Sequence, residues 1–153
     1  MEFQDGLYNL YREVNEVSLL NKLFVTLISE KLNITNYTTN ANIQNKMYLK
    51  DSLEEISYII DDSLEKIANL IKIKKGYPIY KIDDIELISL IKTKISIEYN
   101  ETTIIESLKG EIAIILKLIN DILEKTGDNK SYEIITILST ISYQLQNANL
   151  NIS

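Results

Sequence analysis

Four carboxylates, Glu54, Asp61, Asp62 and Glu65, are the side chains of this sequence best spaced for chemistry. They stand at i, i+7, i+8 and i+11 in a segment patterned as a helix, so two or three of them share one face, with Tyr58 close by. Carboxylate oxygens grouped in this way are ligands for hard cations. The competing reading is a solvated acidic face, which is where helix charge ordinarily sits.

What is missing narrows the chemistry further. The chain contains no histidine and no cysteine. That excludes a His-based triad, a cysteine nucleophile, a structural zinc knuckle and any transition-metal site built on nitrogen or sulfur. Catalysis would have to run on Asp, Glu, Lys, Tyr, Ser or Thr, and no Gly-rich loop of the phosphate-binding kind is present. Tyr8, Tyr11, Tyr48, Tyr58, Tyr132 and Tyr143 lie in or beside helical stripes. Packing with a satisfied hydroxyl is the usual role of such tyrosines, and electron donation beside a metal is the functional alternative.

The 22 acids against 16 bases give a net charge of −6, and neither end carries a Lys/Arg run, which argues against direct DNA binding. Lys72, Lys74 and Lys75 read as the basic close of a helix rather than a phosphate patch. The start, Met1-Glu2-Phe3-Gln4-Asp5-Gly6, is unlike a signal peptide, and no apolar stretch is long enough to span a bilayer. A cytoplasmic protein without membrane partners is expected. Asn-x-Ser/Thr triplets at Asn33, Asn36, Asn100, Asn129 and Asn151 read as accidents of composition.

A length of 153 residues fits a single domain, 1–153, and four Gly and one Pro leave little material for turns, which favours long helices. Apolar residues at helical spacing predict a first helix over 7–32, ended by the Asn/Thr-rich stretch 33–45. A second helix is predicted over 46–74, with Gly76 as its left-handed stop and Pro78 beyond. A short helix over 85–91, capped by Asp83, follows. The third long helix should begin near Thr102 or Thr103 and end at Gly127; the fourth should be capped by Asp128 or Ser131. Lys94 to Tyr99 alternates with period two and reads as connection or helix. The tight last link makes helices three and four antiparallel, and the long link after helix two can carry the chain along the bundle. The fold class is therefore all-α, a ferritin-like four-helix bundle with a short extra helix in the connection between helices 2 and 3.

The run from Glu65 through Ala68, Asn69, Gly76 and Pro78 to Ile82 resembles the end of helix two in the Dps family of mini-ferritins, and Gly127-Asp128 resembles that family's link between helices three and four. The short middle helix is a third shared trait. The resemblance implies a homo-oligomeric shell, a dodecamer in that family, that oxidises and stores iron at a site shared between two subunits. It sets Thr38 and Lys50 opposite the family's two histidines, Glu65 opposite its Asp and Asn69 opposite its Glu. Only Glu65 keeps an anionic ligand, so the ferroxidase site is degenerate and enzyme activity is not expected to persist. Glu54, Asp61, Asp62 and Glu65 then become an all-oxygen set for weak iron binding or mineral nucleation, since ferric iron accepts oxygen donors. Asp128 and Glu133 fall in the region that lines the family's ion-entry pores, although capping by Asp128 and a first-turn role for Glu133 are the favoured reading. The alternative function is a helical-bundle scaffold or protein-interaction module with no metal role.

Overall fold

The computed structural model describes residues 2–42, 47–126 and 131–152, and side chains from residue 15 onward in the first of these stretches. Among the described residues five helices follow one another: α1 (Glu2–Asn40), α2 (Met47–Ile73), α3 (Ile82–Ile88), α4 (Glu101–Thr126) and α5 (Tyr132–Leu150). The main packing runs from α1 to α2, α2 to α5, α5 to α4 and α4 back to α1, a closed ring of four rods, with short α3 set against α1. Each long helix turns its apolar stripe to the centre, where Leu27, Ile60, Ile115 and Leu138 are completely shielded from water. The all-α bundle with its small intermediate helix is thus the observed fold.

Helix α1 does not stop at Leu32, which is itself 55% exposed and outside the core. The polar stretch that was expected to break it continues the helix to Asn40. The hydroxyls of Thr35 and Thr38 donate to the carbonyls of Lys31 and Ile34, one turn back, at 2.9 and 2.8 Å. The amides of Asn33 and Asn36 find partners outside the helix, so neither competes with its backbone. The end of this expected break, residues 43–46, lies outside the described residues.

The partners of those amides explain the crossover. Between α2 and α4 the chain runs back along α1 as a strap whose backbone is held by α1 side chains. Asn21 accepts from the Ile79 N–H and donates to the Tyr77 carbonyl, and Thr26 Oγ1 accepts from Leu90 N–H. Asn33 takes Lys94 N–H at 2.9 Å while donating to Lys92 O at 3.0 Å. Asn36 donates to the carbonyls of Lys94 and Ile95. The strap ends where Tyr99 exchanges backbone bonds with Asn40 and Asn42, forming a single parallel bridge between Tyr99 and Ala41. The period-two segment Lys94 to Tyr99 is therefore extended connection, paired with a helix's amides rather than with a strand. Because the strap returns the chain to the far end of α1, α2 and α4 both run antiparallel to α1.

Other helix ends also differ in detail from expectation. At the end of α2 the left-handed residue is Lys75, with φ 64°, and not Gly76. Gly76 N–H bonds Ile71 O at 2.9 Å, which completes a Schellman-type close. Glycine is required there for room: a Cβ would meet Val17 Cγ1 at 2.5 Å. Helix α3 begins earlier than predicted, with Lys81 at its N-cap position and Asp83 in the first turn. Helix α4 begins at Glu101, where Asn100 Oδ1 accepts from Thr103 N–H at 2.9 Å and so does the capping that was expected of Thr102 or Thr103. Ser131 holds the N-cap position of α5, but its side chain makes no capping bond.

Candidate functional site

The acidic face of α2 is built by its apolar stripe: once Leu53, Ile56, Ile60 and Ile67 turn inward, the residues between them must face water. Glu54, Asp61 and Glu65 are exposed and Asp62 is half-buried. Glu54 and Asp61, together with Tyr58 and Thr38, line a groove of about 320 Å³ between α1 and α2. Asp62 instead pairs with Lys66 one turn on, at 2.9 Å, and Glu65 does not line the groove. Among the described residues no three acidic side chains gather closely enough to enclose an ion. Of the positions the family resemblance marks, Thr38, Lys50, Glu65 and Asn69 are all on the surface, and the Thr38 hydroxyl is spent on the Ile34 carbonyl.

The groove already holds a cation of its own. Lys31 extends from α1 so that Nζ donates to Ser57 Oγ at 2.6 Å and Asp61 Oδ2 at 2.7 Å. The ammonium thus answers the charge of one of the two carboxylates that line the groove. Both partners keep substantial contact with solvent, so the pair adds roughly 0.2–1 kcal/mol to stability while changing the electrostatics of the groove outright.

Glu133 is exposed at the start of α5, beside Ser131 Oγ at 3.5 Å; Asp128 and Gly127 lie outside the described residues. The lysine trio closing α2 is dispersed. Lys72 lies over the Tyr77 ring at 4.8 Å, Lys74 pairs with buried Glu16 at 3.2 Å, and Lys75 makes the turn. Tyr48, Tyr58, Tyr132 and Tyr143 are exposed, the side chains of Tyr8 and Tyr11 lie outside the described residues, and among the described residues the tyrosines that pack inside are Tyr37 and Tyr99, edge to face at 5.1 Å.

A second set of polar groups lies inside the bundle. Glu30 on α1 is wholly buried and Glu111 on α4 nearly so, and their carboxyl groups lie within hydrogen-bonding reach of each other. Glu111 accepts from the Tyr37 hydroxyl at 2.7 Å and from Asn33 Nδ2 at 3.1 Å. Among the described residues neither oxygen of Glu30 receives a donor from another side chain or from the backbone. Burial first, and then the adjacent Glu111, push the Glu30 carboxyl well above the usual carboxylate range, with Lys94 pulling the other way.

Solved structures with this arrangement exist. No family model and no curated protein matches the chain. The DPS protein of Vibrio cholerae O1, described as a member of a broad superfamily of ferritin-like diiron-carboxylate proteins, superposes with a TM-score of 0.85 over 94% of this chain and 89% of its own, at 18% identity. The chain has the Dps fold. Antigen TpF1 of Treponema pallidum matches at 0.86 over 93% of this chain and 91% of its own, with 13% identity. A Dps protein of Bacillus brevis matches at 0.85 over 93% and 95%, with 14% identity. At such low identity the Dps fold is what is shared, and the side chains must be judged on their own chemistry.

Within this Dps fold the interior acids were not among the residues singled out from sequence. A signal for them exists. Glu30 stands three residues after Leu27 and four before Ile34, and Glu111 three after Leu108 and four before Ile115. Each acid therefore occupies a core position in an otherwise apolar stripe, where a charged residue calls for an explanation. Lys31 carried no such mark, because a lysine beside a stripe is the ordinary edge of an amphipathic helix.

Proposed function

We propose that this chain is the subunit of a homo-oligomeric shell of the Dps type, a dodecamer by analogy, whose iron handling has been reduced to weak binding or mineral nucleation on exposed carboxylates. The observation that carries the reading is the Lys31 ammonium seated on Asp61 in the α1–α2 groove of a Dps fold. A site that is to draw ferrous ions and lower their potential needs anionic or imidazole donors, and here one carboxylate is already neutralised by the protein. Glu54 and Glu65 remain open to water and are the donors left for iron as cargo. The reading places the shell in the cytoplasm, without DNA as a direct partner. Among the described residues no helix is long and apolar enough to cross a membrane.

Sedimentation followed by anaerobic ferrous addition and then oxygen tests both parts. A large assembly that oxidises iron little faster than buffer, yet retains some ferric iron on the protein, is the expected result. A stable monomer would defeat the shell, because closed assemblies need self-complementary surfaces on every copy. Rapid oxidation would defeat the claim that the site is degenerate. The second reading, a scaffold with no metal role, is favoured by the fact that Asp61 and Asp62 both carry ammonium partners. A shell that retains no iron at all would select it.

A further inference from the structure

The interior carboxyl pair has a consequence independent of iron. Among the described residues no donor reaches either oxygen of wholly buried Glu30, so a carboxylate there would be a buried charge without a partner, and only as the protonated acid can it bond to Glu111, as the donor. Two full negative charges at that depth would also be costly, since burial disfavours the charged form and like charges add to the penalty. The surroundings decide which acid keeps the proton. Glu111 already accepts from the Tyr37 hydroxyl and Asn33 Nδ2, whereas buried Glu30 accepts from no donor among the described residues, so the proton belongs to Glu30.

The groups around the pair are few. Helix α1 contributes Tyr37 and the neutral Asn33, helix α4 contributes Ser107 beside Tyr37, and the strap contributes Lys94. Helices α2 and α5 bury only serines among their polar residues, Ser52, Ser63 and Ser142, and the only buried residue of α3 is Ile85. Asn33 joins this set to the strap: the amide nitrogen that bonds Glu111 also bonds Lys92 O, and its oxygen holds Lys94 N–H.

We infer that Glu30 and Glu111 form a proton-operated latch, in which one shared proton draws α1 to α4 and leaves Asn33 placed to hold the strap, and loss of that proton loosens the strap. The direction with pH follows from linkage. Native Glu30 keeps a proton that the unfolded chain has given up, so its contribution to stability is complete below the ordinary glutamic acid range. That contribution is lost as pH rises toward the site's own, higher value. Mild acid tightens the strap and alkali frees it.

Hydrogen exchange on the full chain, corrected for intrinsic rates, should show the Lys94 amide opening more often between about pH 6 and about pH 9, by up to roughly tenfold per pH unit for one linked proton. In Glu30→Gln the amide donates to Glu111 with no proton to lose, so the profile should be flat and the strap protected at the alkaline end. Parallel profiles for the two proteins would overturn the latch. If Glu30→Gln does not fold, infrared spectroscopy of the unaltered chain decides. The carbonyl stretch of a protonated carboxyl at neutral pH supports the latch, and its absence, with or without a bound cation, overturns it.

Discussion

Tyr37 donates its hydroxyl to Glu111 Oε1 at 2.7 Å, joining the upper part of α1 to the middle of α4 inside the bundle. Tyr37→Phe keeps the ring and its edge-to-face contact with Tyr99 but leaves a buried carboxylate one donor short. The expected cost is about 1–3 kcal/mol, measured by urea unfolding. A change within experimental error would show that water replaces the hydroxyl. The same environment governs alkaline behaviour. Burial, and then the bond to Glu111, hold the Tyr37 phenol well above its ordinary range. The native state keeps that proton when the unfolded state has lost it, so stability should fall above about pH 10, and less steeply in Tyr37→Phe.

Lys31→Met tests whether an ammonium silences the groove. Removing it frees Asp61 beside Glu54 and Tyr58, while the aliphatic stem still covers α2. Stability should change by under about 1 kcal/mol, as for other solvent-touched pairs. Ferrous binding under anaerobic calorimetry should strengthen several-fold. Unchanged binding would show that Asp61 is not a latent donor.

The two strap amides should differ in weight. Asn33 is buried and serves three partners, Lys92 O, Lys94 N–H and Glu111, so Asn33→Ala should cost more than about 2 kcal/mol. Asn36 bonds exposed carbonyls that water can satisfy, and Asn36→Ala should cost under about 1 kcal/mol. Denaturation midpoints in the reverse order would refute the role given to Asn33.

The close of α2 predicts opposite signs at adjacent positions. Lys75→Gly relieves a left-handed backbone, φ 64°, and should stabilise by about 1 kcal/mol. Gly76→Ala drives a methyl into Val17 and should destabilise by about 1–3 kcal/mol, with partial rescue by Val17→Ala. Thermal unfolding of the three variants checks all of this.

Periodicity carried most of the fold because the stripes through Ile56, Ile60 and Ile67 and through Ile112, Ile115 and Ile119 are regular enough to place each rod and its inward face. Local composition misled where tertiary contacts override it. The Asn/Thr run after Leu32 looks like a break until the strap supplies partners for Asn33 and Asn36, and no local pattern reveals a partner about sixty residues away. The acidic face of α2 was legible, and Glu54, Asp61 and Tyr58 do share one groove. The hold of Lys31 on Asp61 depends on how α1 packs against α2, which spacing within one helix cannot express.

The way α1 grips the strap leaves a wide licence for change. From Lys92 to Glu98 every residue is exposed, and α1 reads only carbonyls and N–H groups, while two lysines use their side chains elsewhere, Lys92 Nζ on Glu86 O and Lys94 Nζ on Ser107 Oγ of α4. Apart from Lys92 and Lys94, nearly any residue can stand there without altering the bundle, and at 94 proline is excluded as well because it lacks the hydrogen Asn33 requires. This stretch is therefore a strip of surface whose chemistry can be rewritten, one substitution at a time, on a scaffold that does not register the difference.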